Sequence, residues 1–336
     1  MKKLFMGALL LGSLSAHASI ITVNQTSCTL GPACAAADAA LQSFVDADLP
    51  SVGIGKYATG IANANGFTYA GMGSDYSDDF SLFMVRGAFG GSVSGDLDNP
   101  GGADGFGFGA ATTVGVNLDL LPVDKIGPID LSKMDLFVSF MSYSVDQDSG
   151  NSSFTGDTSH FGIMARYQLV DTKDILPGYM LEWGGVQLHT GFQRSSFDLN
   201  MSTRFDNQTV DIGPETGTFG NAGATFAIES SSTTIPIEVS TFLRAAYVFT
   251  FYAGAGFDIV SGSSDVGLVS SGTFTSTNYS ADINAGETGS GDADATNFRA
   301  FGGFQFNIPL VRLYAHVNKG LGSDLIGAHF GAKFTW

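Results

Sequence analysis

The last twelve residues, Leu325 to Trp336, alternate without interruption. Ile326, Ala328, Phe330, Ala332, Phe334 and Trp336 fall on one side, and Gly327, His329, Gly331, Lys333 and Thr335 on the other. A strand repeats its side-chain direction every two residues, so one face of this strand is wholly apolar and the other is small or polar. Such a strand suits a chain whose wall faces lipid. There every backbone group must be paired without water, and a closed barrel achieves that.

The first residues address the compartment. Lys2 and Lys3 precede an apolar run from Leu4 to Leu14, followed by Ala16-His17-Ala18. That is a charged start, an apolar stretch too short to span a bilayer, and a small-residue cleavage site before Ser19. Residues 1–18 therefore read as a signal peptide. Cys28 stands too far downstream to be acylated as the first residue after cleavage, so the expectation is an exported, unlipidated chain.

Composition narrows the class further. The chain carries 15 basic and 32 acidic residues, a net charge of −17, which disfavours nucleic acid as a partner. Only 14% of residues are charged, whereas Gly numbers 45 and Phe 28, as expected for close-packed strands with an aromatic surface. After the leader no stretch approaches 18 apolar residues, which excludes a helical membrane protein.

The terminal alternation recurs at Phe161–Leu169, Ile237–Arg244, Phe251–Ile259, Phe298–Asn307 and Val311–Asn318, with weaker versions at Phe80–Gly90, Phe106–Leu120, Leu136–Tyr143 and Val186–Phe192. These segments have the length that crosses a membrane at a tilt. Short connections follow Leu121-Pro122, Asp171–Pro177, Ala246–Phe249 and Ile308-Pro309. Long Ser/Thr/Gly-rich acidic ones occupy Ser94–Asp104, Asp146–Asp157, Leu199–Pro236 and Ser261–Asn297. Short periplasmic turns and long outer loops are the usual asymmetry of membrane barrels. The fold expected is all-β, an antiparallel transmembrane barrel of about ten strands, within a range of roughly eight to fourteen, after a short N-terminal helical segment.

Ahead of the barrel, Cys28 and Cys34 flank Gly31-Pro32 and are expected to form a local disulfide in an oxidising compartment. Ala35–Asp48 places Leu41, Phe44 and Val45 at helical spacing before Leu49-Pro50, which predicts a short amphipathic helix. This segment reads as a lumen plug, as a cap on the periplasmic mouth, or as an extension with no effect on permeation. The division expected is 1–18 signal peptide, 19–79 disulfide loop and helix, and 80–336 barrel.

The chemistry lies in the inward register. Arg166, Arg244, Arg299, Arg312 and Lys333, with Arg86, project into the lumen beside Asp135, Glu238 and Asp258, as do His160, His189, His316 and His329. Unpaired charge in a narrow interior is expensive, so these groups either pair and pack the cylinder or face water as a basic ladder for anions. Inward histidines do not suit hydrolysis of membrane lipid, and Asp157 with Ser159-His160 is the one local cluster with protease-like residue types. No catalytic set, metal site or cofactor is expected. The acidic clusters Ser74–Asp79 and Gly289–Asn297 lack the spacing of a calcium loop and read as solvated surface, with divalent bridging to lipopolysaccharide phosphates as the alternative.

The leader, the alternating strands and the closing Phe334-Thr335-Trp336 together resemble a Gram-negative outer-membrane β-barrel protein of the porin-like class. The resemblance implies residence in the outer membrane, contact with its lipid and lipopolysaccharide, and recognition of Phe334 and Trp336 by the barrel-assembly machinery. It does not fix an oligomeric state. Two functions follow as expectations: a pore or transporter for small solutes, or a closed barrel that presents acidic outer loops to partners.

Overall fold

A computed structural model describes residues 20–48, 54–77, 82–96, 102–123, 125–176, 180–212, 215–308 and 310–335. The leader and Trp336 lie outside these residues. The chain begins with β1 (Ile20–Cys28), α1 (Cys34–Asp48) and α2 (Ile54–Thr68). Next come β2 (Phe83–Asp96), β3 (Gly102–Asn117), the two-residue strands β4 (Lys125–Ile126) and β5 (Ile129–Asp130), β6 (Met134–Ser149) and β7 (Ser152–Val170). Then follow β8 (Lys173–Leu176), β9 (Leu181–Trp183), β10 (Val186–Arg204), β11 (Gln208–Ile212), β12 (Glu215–Ala245) and β13 (Phe249–Thr275). The chain closes with β14 (Tyr279–Asp292), β15 (Thr296–Ile308), β16 (Val311–Gly320) and β17 (Leu325–Thr335).

Ten strands form an antiparallel ring in the order β2, β3, β6, β7, β10, β12, β13, β15, β16, β17. The closing strand joins the first, with Phe330 opposite Phe89 and Lys333 opposite Arg86. Alternation is what makes this a membrane wall. Phe89, Phe140, Phe161, Phe298, Phe304, Phe330 and Phe334 point outward and stand exposed, while the residues between them face the interior. The chain is a transmembrane β-barrel.

The two ends of the ring differ. At one end the connections are tight: β12 turns into β13 through Ala246 and Tyr247, both at positive φ, and Leu310 does the same between β15 and β16. At the other end the strands overshoot. β12 runs for 31 residues and β13 for 27, where about 9–11 suffice to cross a membrane. The segments Leu199–Pro236 and Ser261–Asn297, expected as loops, are therefore mostly strand. Their Ser- and Thr-rich stretches, such as Glu229–Thr234, are polar on both faces because they stand clear of lipid, so no apolar period marks them.

The overshooting strands carry the N-terminal residues. β14 folds back along β13, and β1 pairs with β14 from Ile20 opposite Gly286 to Cys28 opposite Tyr279. α1 covers one face of this raised sheet, burying Ala37 and Leu41 with Val210, Phe274, Tyr279, Ala281 and Ile283. The Tyr279 hydroxyl donates to Asp38, and burial together with that bond holds the phenol above its ordinary pKa. The disulfide joins Cys28 to Cys34, with a Cα separation of 6.0 Å. The expected helix exists, but it rides on the raised sheet rather than in the lumen.

Candidate functional site

The lumen is filled by a helix that periodicity did not reveal. In α2, eleven of fifteen residues are buried, and they lie on every side of the helix. The helix enters at the raised end, where Ile54, Tyr57, Ala58 and Ile61 pack with Phe197, Leu199, Ile228 and Val266. It lies against β3 with backbone nearly touching backbone. A Cβ on Gly60 would stand inside the Asp104 carbonyl, and one on Gly105 inside the backbone of Gly60. Its polar groups meet a polar wall: Asn65 Nδ2 donates to Ser230 Oγ at 3.1 Å, and Ser195 Oγ donates to Asn65 Oδ1 at 3.2 Å. Lower down, the Thr68 and Ser92 hydroxyls lie 2.7 Å apart.

Beyond Thr68 the chain leaves helical geometry but stays inside the ring to Ser77, so its backbone needs partners from the wall. The wall supplies them. Asn318 Nδ2 donates to the Ala70 carbonyl at 2.9 Å, Thr113 Oγ1 to Met72 at 3.0 Å, and Arg166 to Asp75 at 3.2 Å. The Arg86 guanidinium donates to the carbonyls of Gly71 and Met72. Gly71 sits at φ +84°, directly against the His316 and His329 rings, where a side chain would collide with them.

Charge pairing then locks the segment in. Lys333 Nζ lies 2.6 Å from the Asp75 carboxylate and donates to Ser77 Oγ at 3.1 Å. Arg166 Nε lies 2.6 Å from Asp135. Arg299 binds Asp258 at 2.8 Å, Asn318 at 2.8 Å, and Glu238, which also accepts from the Tyr76 hydroxyl at 2.6 Å. Arg244 pairs with Glu182 at 3.0 Å at the tight-turn end, and Arg312 lies across from Lys333, partly buried. Each candidate lumen charge is thus on the inward side, and Arg166, Arg299, Lys333, Glu238 and Asp258 are buried. The alternative of a wet ladder on an unobstructed wall does not describe this arrangement.

Asp75, Tyr76 and Ser77 are the lumen residues that pattern reading missed. Asp75 was expected in a solvated acidic cluster, whereas it is 2% exposed and paired. Asp78 and Asp79 of that cluster lie outside the described residues. A signal for Asp75 did exist. Four buried cations, Arg86, Arg166, Arg299 and Lys333, face three buried wall carboxylates, Asp135, Glu238 and Asp258, among the described residues. One further inward anion was needed, and the plug provides it.

The histidines act as wall groups. His189 is held between Ser74 Oγ at 2.7 Å and Ser240 Oγ at 2.8 Å, which ties the plug to the ring. His160 contacts Ser139 at 2.9 Å and stacks on Tyr69 with ring centroids 4.0 Å apart. His316 and His329 stack on each other at 4.3 Å. Asp157 faces outward, where Ser144 donates to it, while His160 faces inward, so that local trio is not assembled. Among the described residues no three His, Cys, Asp or Glu side chains gather as a metal site.

Above the apolar belt the outer surface changes character. Register aligns Ser159, Ser196, Ser231 and Ser263 across four adjacent strands, and in the next row Asp157, Asp198, Glu229 and Asp265. These rows line a shallow cavity of about 350 Å³. Like charges directly opposite weaken strand pairing, so this acidic row does not serve the stability of the sheet.

The Lsa36-like family matches residues 18–336 of the chain. No curated protein sequence matches it. Solved structures with a similar course include the translocator domain of the autotransporter NalP from Neisseria meningitidis, at 10% identity and a TM-score of 0.29, covering 77% of this chain and 90% of that one. The outer membrane protease OmpT from Escherichia coli matches at 11% identity and 0.33, covering 77% and 99%. The toluene transporter TbuX from Ralstonia pickettii matches at 8% and 0.25, covering 82% and 99%. At these scores the likenesses add nothing to the fold read from the strands themselves.

Proposed function

We propose that this chain, which belongs to the Lsa36-like family, is a closed outer-membrane barrel that holds a rigid acidic β platform at the cell surface. The observation that carries the reading is the lumen segment Ile54–Ser77, joined to eight strands of the ring by hydrogen bonds or ion pairs from Ser92, Thr113, Arg166, Ser195, Ser230, Gln305, Asn318 and Lys333. A solute passing through would have to displace these contacts together. The lipid-facing aromatics and the closing strand with Phe334 are the surfaces offered to outer-membrane lipid and to the barrel-assembly machinery. The raised strands supply the platform, and their acidic row repels polyanions and favours partners with basic surfaces.

The pore reading makes the opposite demand, that small solutes pass the protein as it stands. Proteoliposomes separate the two. Small sugars are expected to enter wild-type vesicles no faster than protein-free ones, and deletion of residues 54–77 is expected to accelerate entry. Rapid entry through the wild type, equal to that of the deletion, would refute the closed reading.

A further inference from the structure

We propose that the protein exports its own N-terminal module: residues 20–48 pass outward through the lumen, and Ile54–Ser77 stays behind as the stopper. The inference takes its orientation from the closed-barrel reading above, with the raised strands outside.

The path of the chain carries it. Both ends of the ring's wall, Phe83 at the start of β2 and Thr335 at the end of β17, lie at the tight-turn end, where Thr335 pairs with Met84. The plug runs to that same end, because Ser77 donates to Gln305 at 2.6 Å and Gln305 pairs with Thr250 beside the β12–β13 turn. Its other end, Ile54, lies at the raised rim against Val266. The module that precedes Ile54 rests on the raised sheet, with β1 paired to β14 and α1 packed against β11, β13 and β14. A chain whose barrel starts and finishes at one end, and whose preceding segment is folded at the other, has crossed within its own ring.

The module suits that passage. Its charged residues are Asp38, Asp46 and Asp48, with no Lys or Arg. Before Asp75 is in place, the buried wall charges among the described residues are four cations, Arg86, Arg166, Arg299 and Lys333, against three carboxylates, Asp135, Glu238 and Asp258. That excess of one positive charge favours an acidic segment over a basic one. Its disulfide spans six positions with Cα atoms 6.0 Å apart, a local loop rather than a folded domain, and the lumen that it would pass holds a helix, about 10–12 Å across with side chains. Its folded partners stand only at the far side. Pairing of β1 with β14, burial of Leu41 and the Asp38–Tyr279 bond all form after exit, so folding outside opposes return.

The test places one short epitope tag between Ser19 and Ile20 and another at Asn151, in the β6–β7 turn of the raised end. Protease added to intact cells is expected to remove both tags. If the Asn151 tag is cleaved while the N-terminal tag is protected until the membrane is permeabilised, self-export fails and the platform reading stands. If neither tag is reached, the shared orientation fails. In a third arm, a domain closed by a long-range disulfide is fused ahead of Ile20 behind the same tag. That tag is expected to stay protected from external protease, and its intact arrival outside would overturn the lumen route.

Discussion

Arg299→Ala is expected to lower the unfolding free energy by about 3–5 kcal/mol, among the largest losses available to a single substitution in this chain. Arg299 is wholly buried and holds Glu238, Asp258 and Asn318 at once. Removing it leaves two buried carboxylates that pair with no other cation among the described residues. The loss should also reach the plug, since Tyr76 is bound to the same Glu238. Urea unfolding in detergent, followed by the fluorescence of Trp183 and Trp336, measures it. Replacing the three charges together, Arg299→Met with Glu238→Gln and Asp258→Asn, should cost less than the single change, because no buried charge is then stranded. A single variant within about 0.5 kcal/mol of wild type, the usual range for an inert surface change, would show that water reaches the triad and that the lumen is not closed around it.

Gly60→Leu is expected to open the barrel. The helix and β3 approach so closely at Gly60 and Gly105 that any side chain there must move one backbone away from the other. Overpacking of this kind costs about 1–3 kcal/mol, which shifts the balance between plug-in and plug-out states roughly 5- to 150-fold. The side chain would press on the β3 backbone at Asp104–Gly105, which the β2 ladder holds in place, whereas no strand pairing involves α2, so the helix is the element expected to give way. The expected result is a folded barrel with unchanged strand content by circular dichroism that passes step currents in planar bilayers. Loss of the barrel fold in this variant would mean that the helix is a structural core of the ring rather than a stopper within it.

The wall of the protein is legible in its sequence because its rule is local. Lipid on one side and a lumen on the other impose a period of two, and that period orients Arg166, Glu238, Asp258, Arg299, Arg312, His316, His329 and Lys333 without knowledge of their partners. The disulfide is equally local. The plug is not, since Asp75 meets Lys333 across 258 positions and Asn65 meets Ser230 across 165. α2 also lacks an apolar stripe. Gly60 and Gly66 allow close approach to the wall, and Asn65 and Thr68 match its polar groups, so its composition reads as loop. The raised strands hide for a related reason: just above the belt the outer face meets water and the inner face meets polar groups such as Asn65, so Ser230, Ser231 and Ser232 alternate without contrast.

The central claim is that the lumen is closed in the protein as it stands. Purified wild-type protein in planar bilayers at high load tests it directly. The account predicts no stable current steps, with steps appearing once residues 54–77 are deleted. Reproducible steps of uniform size from the wild type, unchanged by the deletion, would contradict it.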